Sequence, residues 1–255
     1  MDYVDPLVME FDVRGFDCGY GGPLQPIALA NFLQEAAGEH AAALGVGIPE
    51  LLGRRMTWML SRVDIRVDEC PREGERISVT TWPAGAERLF ALRDFRMRGS
   101  DGRDLARAVY AYLVVDADAR KPLRPQTLFG DRDLRGRDPH PVEGHRFDVP
   151  EPAEPPAVSF AQRAWGRHID LNGHVNNAHI LNWLADASPA ELREGMELSS
   201  IRAEFKAEVI SGDELAASYS IADAVAAGLE GGGQAFVSAL SRGGAPVARA
   251  LVGWK

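Results

Sequence analysis

Asp170, Asn172 and His174 occupy alternate positions in the run Asp170-Leu171-Asn172-Gly173-His174-Val175-Asn176-Asn177. In an extended segment residues two apart project to one side, so one surface would carry a carboxylate, an amide and an imidazole. A carboxylate can orient or activate, and an amide can hold a water or polarise a carbonyl. An imidazole, with an ordinary pKa of about 6.5, moves protons near neutral pH. The run also has a purely structural explanation: Asn172-Gly173 is a good turn, and Asn176 or Asn177 a good helix N-cap. A second carboxylate, Glu208, falls in an alternating stretch from Ile201 to Ile210. Ile201, Ala203, Phe205, Ala207 and Val209 share one face of that strand, and Arg202, Glu204, Lys206, Glu208 and Ile210 the other. Taken alone, Glu208 belongs to a solvated charged face. His168, His174 and His179 follow no standard ligand spacing and have no partner Cys pair, so no metal site is expected.

The elements that must position these groups come in two similar sets. A strand from Leu7 to Val13 precedes apolar residues at Ile27, Ala30, Leu33, Ala37, Ala41 and Leu44, whose spacing predicts a long helix ending near Gly45-Val46-Gly47. Four strands follow, Thr57 to Asp68, Arg76 to Ala84, Arg88 to Met97 and Leu105 to Asp116, with Gly85 among the turn signals between them. From Asp131 the chain turns rich in Pro, Arg, Asp and Glu without periodicity, which reads as a surface linker. Then the pattern returns: Asn182-Trp183-Leu184 echoes Asn31-Phe32-Leu33, 151 positions on, and Gly212-Asp213 echoes Gly74-Glu75, 138 positions on. A repeat of this length indicates duplication of a whole α+β unit. The expected division is a first unit over 1–130, a linker over 131–157 and a second unit over 158–255.

A fold requirement should appear in both copies, whereas a catalytic group need appear in one. Where the second copy has Asp170 to His174, the first has Gly19-Tyr20-Gly21-Gly22-Pro23, and opposite Glu208 it has Cys70. The carboxylates, the amide and the imidazole are all confined to the second copy.

Composition excludes several classes. The chain has 255 residues, a formal charge of -9 and a pI near 5.2, which argues against a nucleic-acid partner. Arginines are dense between Arg88 and Arg107; they read as a solvated strand face, or as a patch for an acidic carrier or a phosphate. No apolar run approaches a membrane span, and the first residues show neither a secretory nor a transit pattern. Two cysteines without ligand-like spacing suit a reducing compartment, with cytoplasm the default.

At these residues the chain resembles the acyl-acyl-carrier-protein thioesterases of bacteria and plant plastids. The signature-like run Asp170 to Asn177 with Trp183 carries the likeness in the second half. Leu33-Gln34-Glu35-Ala36-Ala37-Gly38-Glu39-His40, Leu44-Gly45-Val46, Trp58-Met59-Leu60-Ser61-Arg62 and Arg93-Asp94-Phe95 carry it in the first. Two positions depart from the family pattern: Val209 stands where many members have Cys, and His179 where a Tyr is common. The resemblance implies an α+β tandem hot-dog, each half a central helix wrapped by an antiparallel sheet, with the acyl chain held mainly by the first half. It implies that Asp170, Asn172, His174 and Glu208 form the active site, with Glu208 or Asp170 activating water, and that no cofactor is needed. Backbone N–H groups at the start of the helix after Asn176 would receive the oxyanion. Leu33, Ala37, Trp58, Leu60, Asn176 and Trp183 are candidates for substrate contact, and for Leu33, Ala37, Trp58, Leu60 and Trp183 packing in the core is the competing role. The implied substrate is a phosphopantetheine-linked acyl chain on acyl carrier protein. Acyl-coenzyme A hydrolysis, a non-hydrolytic acyl-binding module and a hydratase or dehydratase on the same scaffold are the competing functions. Hot-dog relatives often pair, which leaves a homodimer open, although an internal tandem already supplies one such pairing.

Overall fold

The computed structural model describes residues 5–129, 140–153, 156–193, 195–229 and 232–255. In the first half β1 (Leu7–Asp12) leads through a 3-10 turn at Gly15–Asp17 into α1 (Pro26–Ala43). Pro26 opens that helix where a missing N–H costs nothing. After α2 (Ile48–Gly53) come β2 (Met56–Val67), β3 (Arg76–Glu87), β4 (Phe90–Gly99) and β5 (Asp104–Asp116). Two short pieces, β6 (Lys121–Leu123) and α3 (Gln126–Phe129), extend this half. The second half runs β7 (Ala157–Arg163), a 3-10 turn at Gly166–His168, α4 (Asn177–Asp186), β8 (Leu198–Phe205), β9 (Glu214–Ala222), β10 (Gln234–Arg242) and β11 (Ala245–Trp254).

All strands join one antiparallel sheet in the order β1-β3-β4-β5-β2-β8-β11-β10-β9-β7, with β6 alongside β5. Exchanging the copies leaves that order unchanged, so the sheet has a pseudo-twofold axis between β2 and β8. Both helices pack on the sheet and against each other, and one apolar core, including Leu33, Phe95, Leu184 and Phe236, runs through both halves. The duplication is visible bond by bond. Gly19 N–H donates to Pro23 C=O as Asp170 N–H donates to His174 C=O, both at 2.8 Å. Leu24 N–H donates to Pro71 C=O (2.8 Å) as Val175 N–H donates to Val209 C=O (2.7 Å).

Three local expectations change. Gly85 is not a turn: β3 continues to Glu87 through a bulge between Pro83 and Ala86, and the chain reverses at Arg88-Leu89. The strand expected to reach Ile210 ends at Phe205, so Glu208 lies beyond it. The face of β8 carrying Arg202 is not solvated either; Arg202 is buried because the segment from His140 to Val149 crosses it. Of the expected linker, residues 131–139 and 154–155 lie outside the described residues, and Ala157 already belongs to β7.

On the axis, β2 and β8 pair Asp64 opposite Arg202, with Ile65 opposite Ile201 and Val63 opposite Ala203. The Asp64 carboxylate is fully buried, 3.0 Å from Arg66 Nε and 3.9 Å from Arg202 Nε, and accepts from Arg146 N–H at 3.0 Å. Removing one partner of a buried charge cluster strands the others. Asp64→Ala is therefore expected to lower unfolding free energy by roughly 3–5 kcal/mol, read from urea denaturation; a loss within about 1 kcal/mol, the size of an exposed pair, would show that the cluster is not what holds the halves together.

Candidate active site

A cleft of about 620 Å³ opens where β2 and β8 part. Their ladder ends at Arg62 opposite Glu204, and beyond it β8 gives way to the loop carrying Glu208 while β2 continues back through Leu60 and Trp58. Leu60, Trp58, Leu113 and Val115 form the wall from the first half. Asp170, Asn172 and His174, the start of α4 at Asn177, and residues 205–209 form the wall from the second.

The run from Asp170 to His174 is a tight turn rather than the extended segment expected. Gly173 N–H donates to Asp170 C=O at 3.0 Å, and Gly173 adopts φ +80°, a left-handed conformation glycine takes without strain. Asp170 Oδ1 accepts from Asn172 N–H at 2.8 Å, so this carboxylate locks its own loop. Folding the loop back still leaves all three side chains on the cleft, and His174 Nε2 comes within 3.3 Å of Glu208 Oε2. Both side chains are partly open to water, at 32% and 46% exposure.

The loop bearing Glu208 is fixed from behind. Asp213 Oδ2 accepts from Ile210 N–H at 3.0 Å and pairs with Arg242, whose Nη1 also donates to Glu208 C=O at 3.2 Å. The turn part of that brace recurs in the first half, where Glu75 accepts from Arg72 N–H at 3.2 Å and pairs with Arg103. Two residues before Arg72, Cys70 is buried with its thiol 3.6 Å from Leu24 C=O. The turn is duplicated and the carboxylate of Glu208 is not.

The other expected contacts divide. Trp58 and Leu60 line the cleft. Leu33 and Ala37 lie in the core, because that side of α1 is the one buried against the sheet. Asn176 caps α4, its Oδ1 accepting from Ala178 N–H at 2.9 Å. Trp183 is buried against the His168 and His179 rings, 5.1 and 6.1 Å away. Burial, with the charge of Arg167 behind it, lowers the pKa of both imidazoles, and His168 Nδ1 accepts from Trp165 N–H at 3.1 Å. These two histidines are thus held in packing, apart from His174. Arg98, Arg103 and Arg107 pair with Asp104, with Asp101, Glu69 and Glu75, and with Asp68, as on an ordinary charged face, and Arg93 is turned inward to His40 Nδ1 at 3.0 Å. Sequence reasoning missed Arg120, which lines the cleft 3.6 Å from Glu208 Oε2. No local pattern in the sequence singles it out.

A tandem hot-dog with a cleft between its halves, lined by His174, Glu208 and Arg120, is the class that this fold and site define. The acyl-ACP thioesterase N-terminal domain model matches residues 7–127, and the C-terminal domain model matches residues 161–254. The chain belongs to the acyl-ACP thioesterase family. It is 26% identical over 213 residues to acyl-[acyl-carrier-protein] hydrolase FATB2, chloroplastic, of Cuphea viscosissima, covering 78% of this chain and 51% of that one. It is 25% identical over 209 residues to palmitoyl-acyl carrier protein thioesterase, chloroplastic, of Gossypium hirsutum, with the same coverage. The chain thus spans about half the length of the curated relatives it matches. Among solved structures, an acyl-ACP thioesterase from Bacteroides thetaiotaomicron is 29% identical with a TM-score of 0.80, each chain covered to 98%. A 12:0-ACP thioesterase from Umbellularia californica shares the fold at 22% identity and TM-score 0.81, covering 98% of this chain and 94% of that one.

Gly173→Ala tests whether the turn serves the cleft. A β-carbon there meets nothing within 4 Å, so the cost is the left-handed backbone alone, roughly 1–2 kcal/mol. Gly22, at φ +93° in the equivalent turn of the first half, should cost about the same when changed to alanine. Thermal melting is expected to shift alike in both variants, while thioester turnover falls only in Gly173→Ala; equal turnover losses would mean that the turn acts through stability.

Proposed function

We propose that this chain hydrolyses the thioester of fatty acyl-acyl-carrier protein, releasing the free acid and the carrier thiol. The observation that carries the reading is the His174–Glu208 pair on a cleft that Asn172 also lines and whose opposite wall includes Trp58, Leu60, Leu113 and Val115. Glu208 takes a proton from water as the water oxygen attacks the carbonyl carbon. Asn172 positions that water or the carbonyl, and the amide of Asn177 at the start of α4 receives the developing oxyanion. As the carbon–sulfur bond breaks, the proton taken up by Glu208 is relayed through His174 to the departing thiolate, which returns both groups to their starting state. Asp170, committed at Oδ1 to Asn172 N–H, is assigned to holding the loop, which makes Glu208 the base.

Residues 1–130 are assigned to acyl-chain binding and 158–255 to the chemistry, joined across 131–157. Trp58 and Leu60 supply apolar contact. A single chain provides both walls, so a homodimer is not needed to complete the site. No helix among the described residues is long and apolar enough to cross a membrane. Cys18 and Cys70 are free thiols, which supports a reducing compartment such as the cytoplasm.

Thiol release from a panel of acyl-carrier-protein and acyl-coenzyme-A thioesters tests this. Wild type should turn over the carrier-linked substrates, and Glu208→Gln and His174→Ala should each lose about 100- to 10,000-fold in kcat. Asp170→Asn, which keeps an oxygen acceptor for Asn172 N–H, should lose less than Glu208→Gln. An inert wild type, or turnover indifferent to all three changes, would refute the assignment; preference for the coenzyme would move the substrate to acyl-coenzyme A.

A further inference from the structure

Resting on the thioesterase reading of this cleft, we propose that Arg120 is a positioning residue: reaching over from the first half, it holds the Glu208 carboxylate against His174. Arg120 Nη2 lies 3.6 Å from Glu208 Oε2, the same oxygen that His174 Nε2 approaches at 3.3 Å. Arg120 is the one Lys or Arg among the described residues within ion-pair distance of Glu208; Lys206, nearby on the cleft, is 3.2 Å from Glu204.

With 78% of its side chain exposed, this pair is worth little as a contribution to stability. The backbone that presents it is nevertheless closely fixed. Asp116 Oδ1 accepts from Asp118 N–H (2.9 Å) and Ala119 N–H (2.8 Å), and Asp116 C=O accepts from Arg120 N–H at 2.9 Å. Asp118 in turn pairs with Arg55 through both carboxylate oxygens, while Arg55 C=O accepts from Ala117 N–H at 2.9 Å. Arg120 and Arg55 both adopt left-handed backbone, at φ +51° and +58°. For a residue with a β-carbon that conformation is unfavourable and persists where its surroundings over-determine it.

The asymmetry of the duplication points the same way. The turn part of the brace behind Glu208, from Asp213 and Arg242, recurs in the first half as Glu75 and Arg103. At the equivalent corner of the first half Cys70 stands in place of Glu208 and offers no carboxylate for such a cation to hold. Arg242 thus fixes the main chain of Glu208 from one side while Arg120 fixes its carboxylate from the other. Without Arg120 the side chain is free to swing into solvent, and the time spent facing His174 falls.

The test is steady-state hydrolysis of acyl-carrier-protein thioesters by wild type, Arg120→Ala, Arg120→Lys, Glu208→Gln and the Arg120→Ala/Glu208→Gln double variant. Arg120→Ala should lower kcat about 10-fold with KM unchanged within about twofold, and with the wild-type melting temperature. Arg120→Lys should recover part of that loss. In the double variant, removing Arg120 should cost nothing beyond Glu208→Gln, because the group it acts through is already gone. Unchanged kcat in Arg120→Ala, a rise in KM alone, or full additivity in the double variant would overturn the proposal while leaving the thioesterase reading standing. An inert wild type would overturn both.

Discussion

Strands β2 and β8 pair across the pseudo-twofold axis, and that single register sets where each wall of the cleft stands. In the ladder the two residue numbers always sum to the same value, as Arg62 with Glu204 and Arg66 with Ser200 show. Extended past its end, the same register would bring Trp58 opposite Glu208. The strands separate instead, because the chain leaves β8 after Phe205, and the cleft occupies the gap. In this sense the apolar wall and the candidate base face each other because of pairing several residues away. Asp64 and Arg202 occupy equivalent positions of the two copies and meet on the axis. Two identical subunits would put like charges there, whereas one duplicated chain can put opposite ones, which is attractive rather than repulsive at short range.

The other end of the ladder shows the equivalent corner without the carboxylate of Glu208. There the symmetry-related gap, beside Cys70, is closed. Lys255 Nζ donates to Val67 and Asp68 carbonyls at 3.3 and 3.1 Å, Arg72 pairs with Glu197, and Glu197 and Lys255 exchange backbone hydrogen bonds. Cys70, with burial raising its pKa to about 11, is a neutral thiol in a packed corner. One fold thus supplies two equivalent corners, one filled with side chains and the other left open with ionisable groups around it.

Much of this was legible in the sequence, and the reasons differ residue by residue. The 151- and 138-position offsets correspond to hydrogen bonds that repeat between the halves, because loops and strand exits with fixed geometry constrain residue types. Helix periodicity located α1, which ends at Ala43, just short of the expected Gly45-Val46-Gly47, since its buried stripe is continuous from Ala28 to Ala41. Less legible was whatever depends on where alternation stops. The polar–apolar pattern runs on to Ile210 although the strand does not, because residues beyond a strand end can alternate without being paired. Arg202 reads as surface from its type, yet the crossing segment around Asp148 buries it, and no local pattern encodes that coverage. Arg120 was invisible for a related reason: its partner is 88 positions away in sequence, and only the paired halves bring it near.

Under the proposed hydrolysis, the placement of Glu208 beyond the strand end rather than within β8 has a physical reason. A carboxylate placed among residues 200–204 would sit in the paired ladder. On one face it would be immersed in the apolar core beside Ile201 and Ala203. On the other it would join the buried Asp64 and Arg202 under the crossing segment. Either setting would leave it neutralised or fully paired. Three residues past Phe205, the side chain is half exposed, one face toward His174 and the other toward the opening. Its backbone is still fixed, because Arg242 and Asp213 brace the loop. A rigid main chain with a water-accessible carboxylate combines positioning with access to the nucleophile, and the end of a strand is where this sheet provides both.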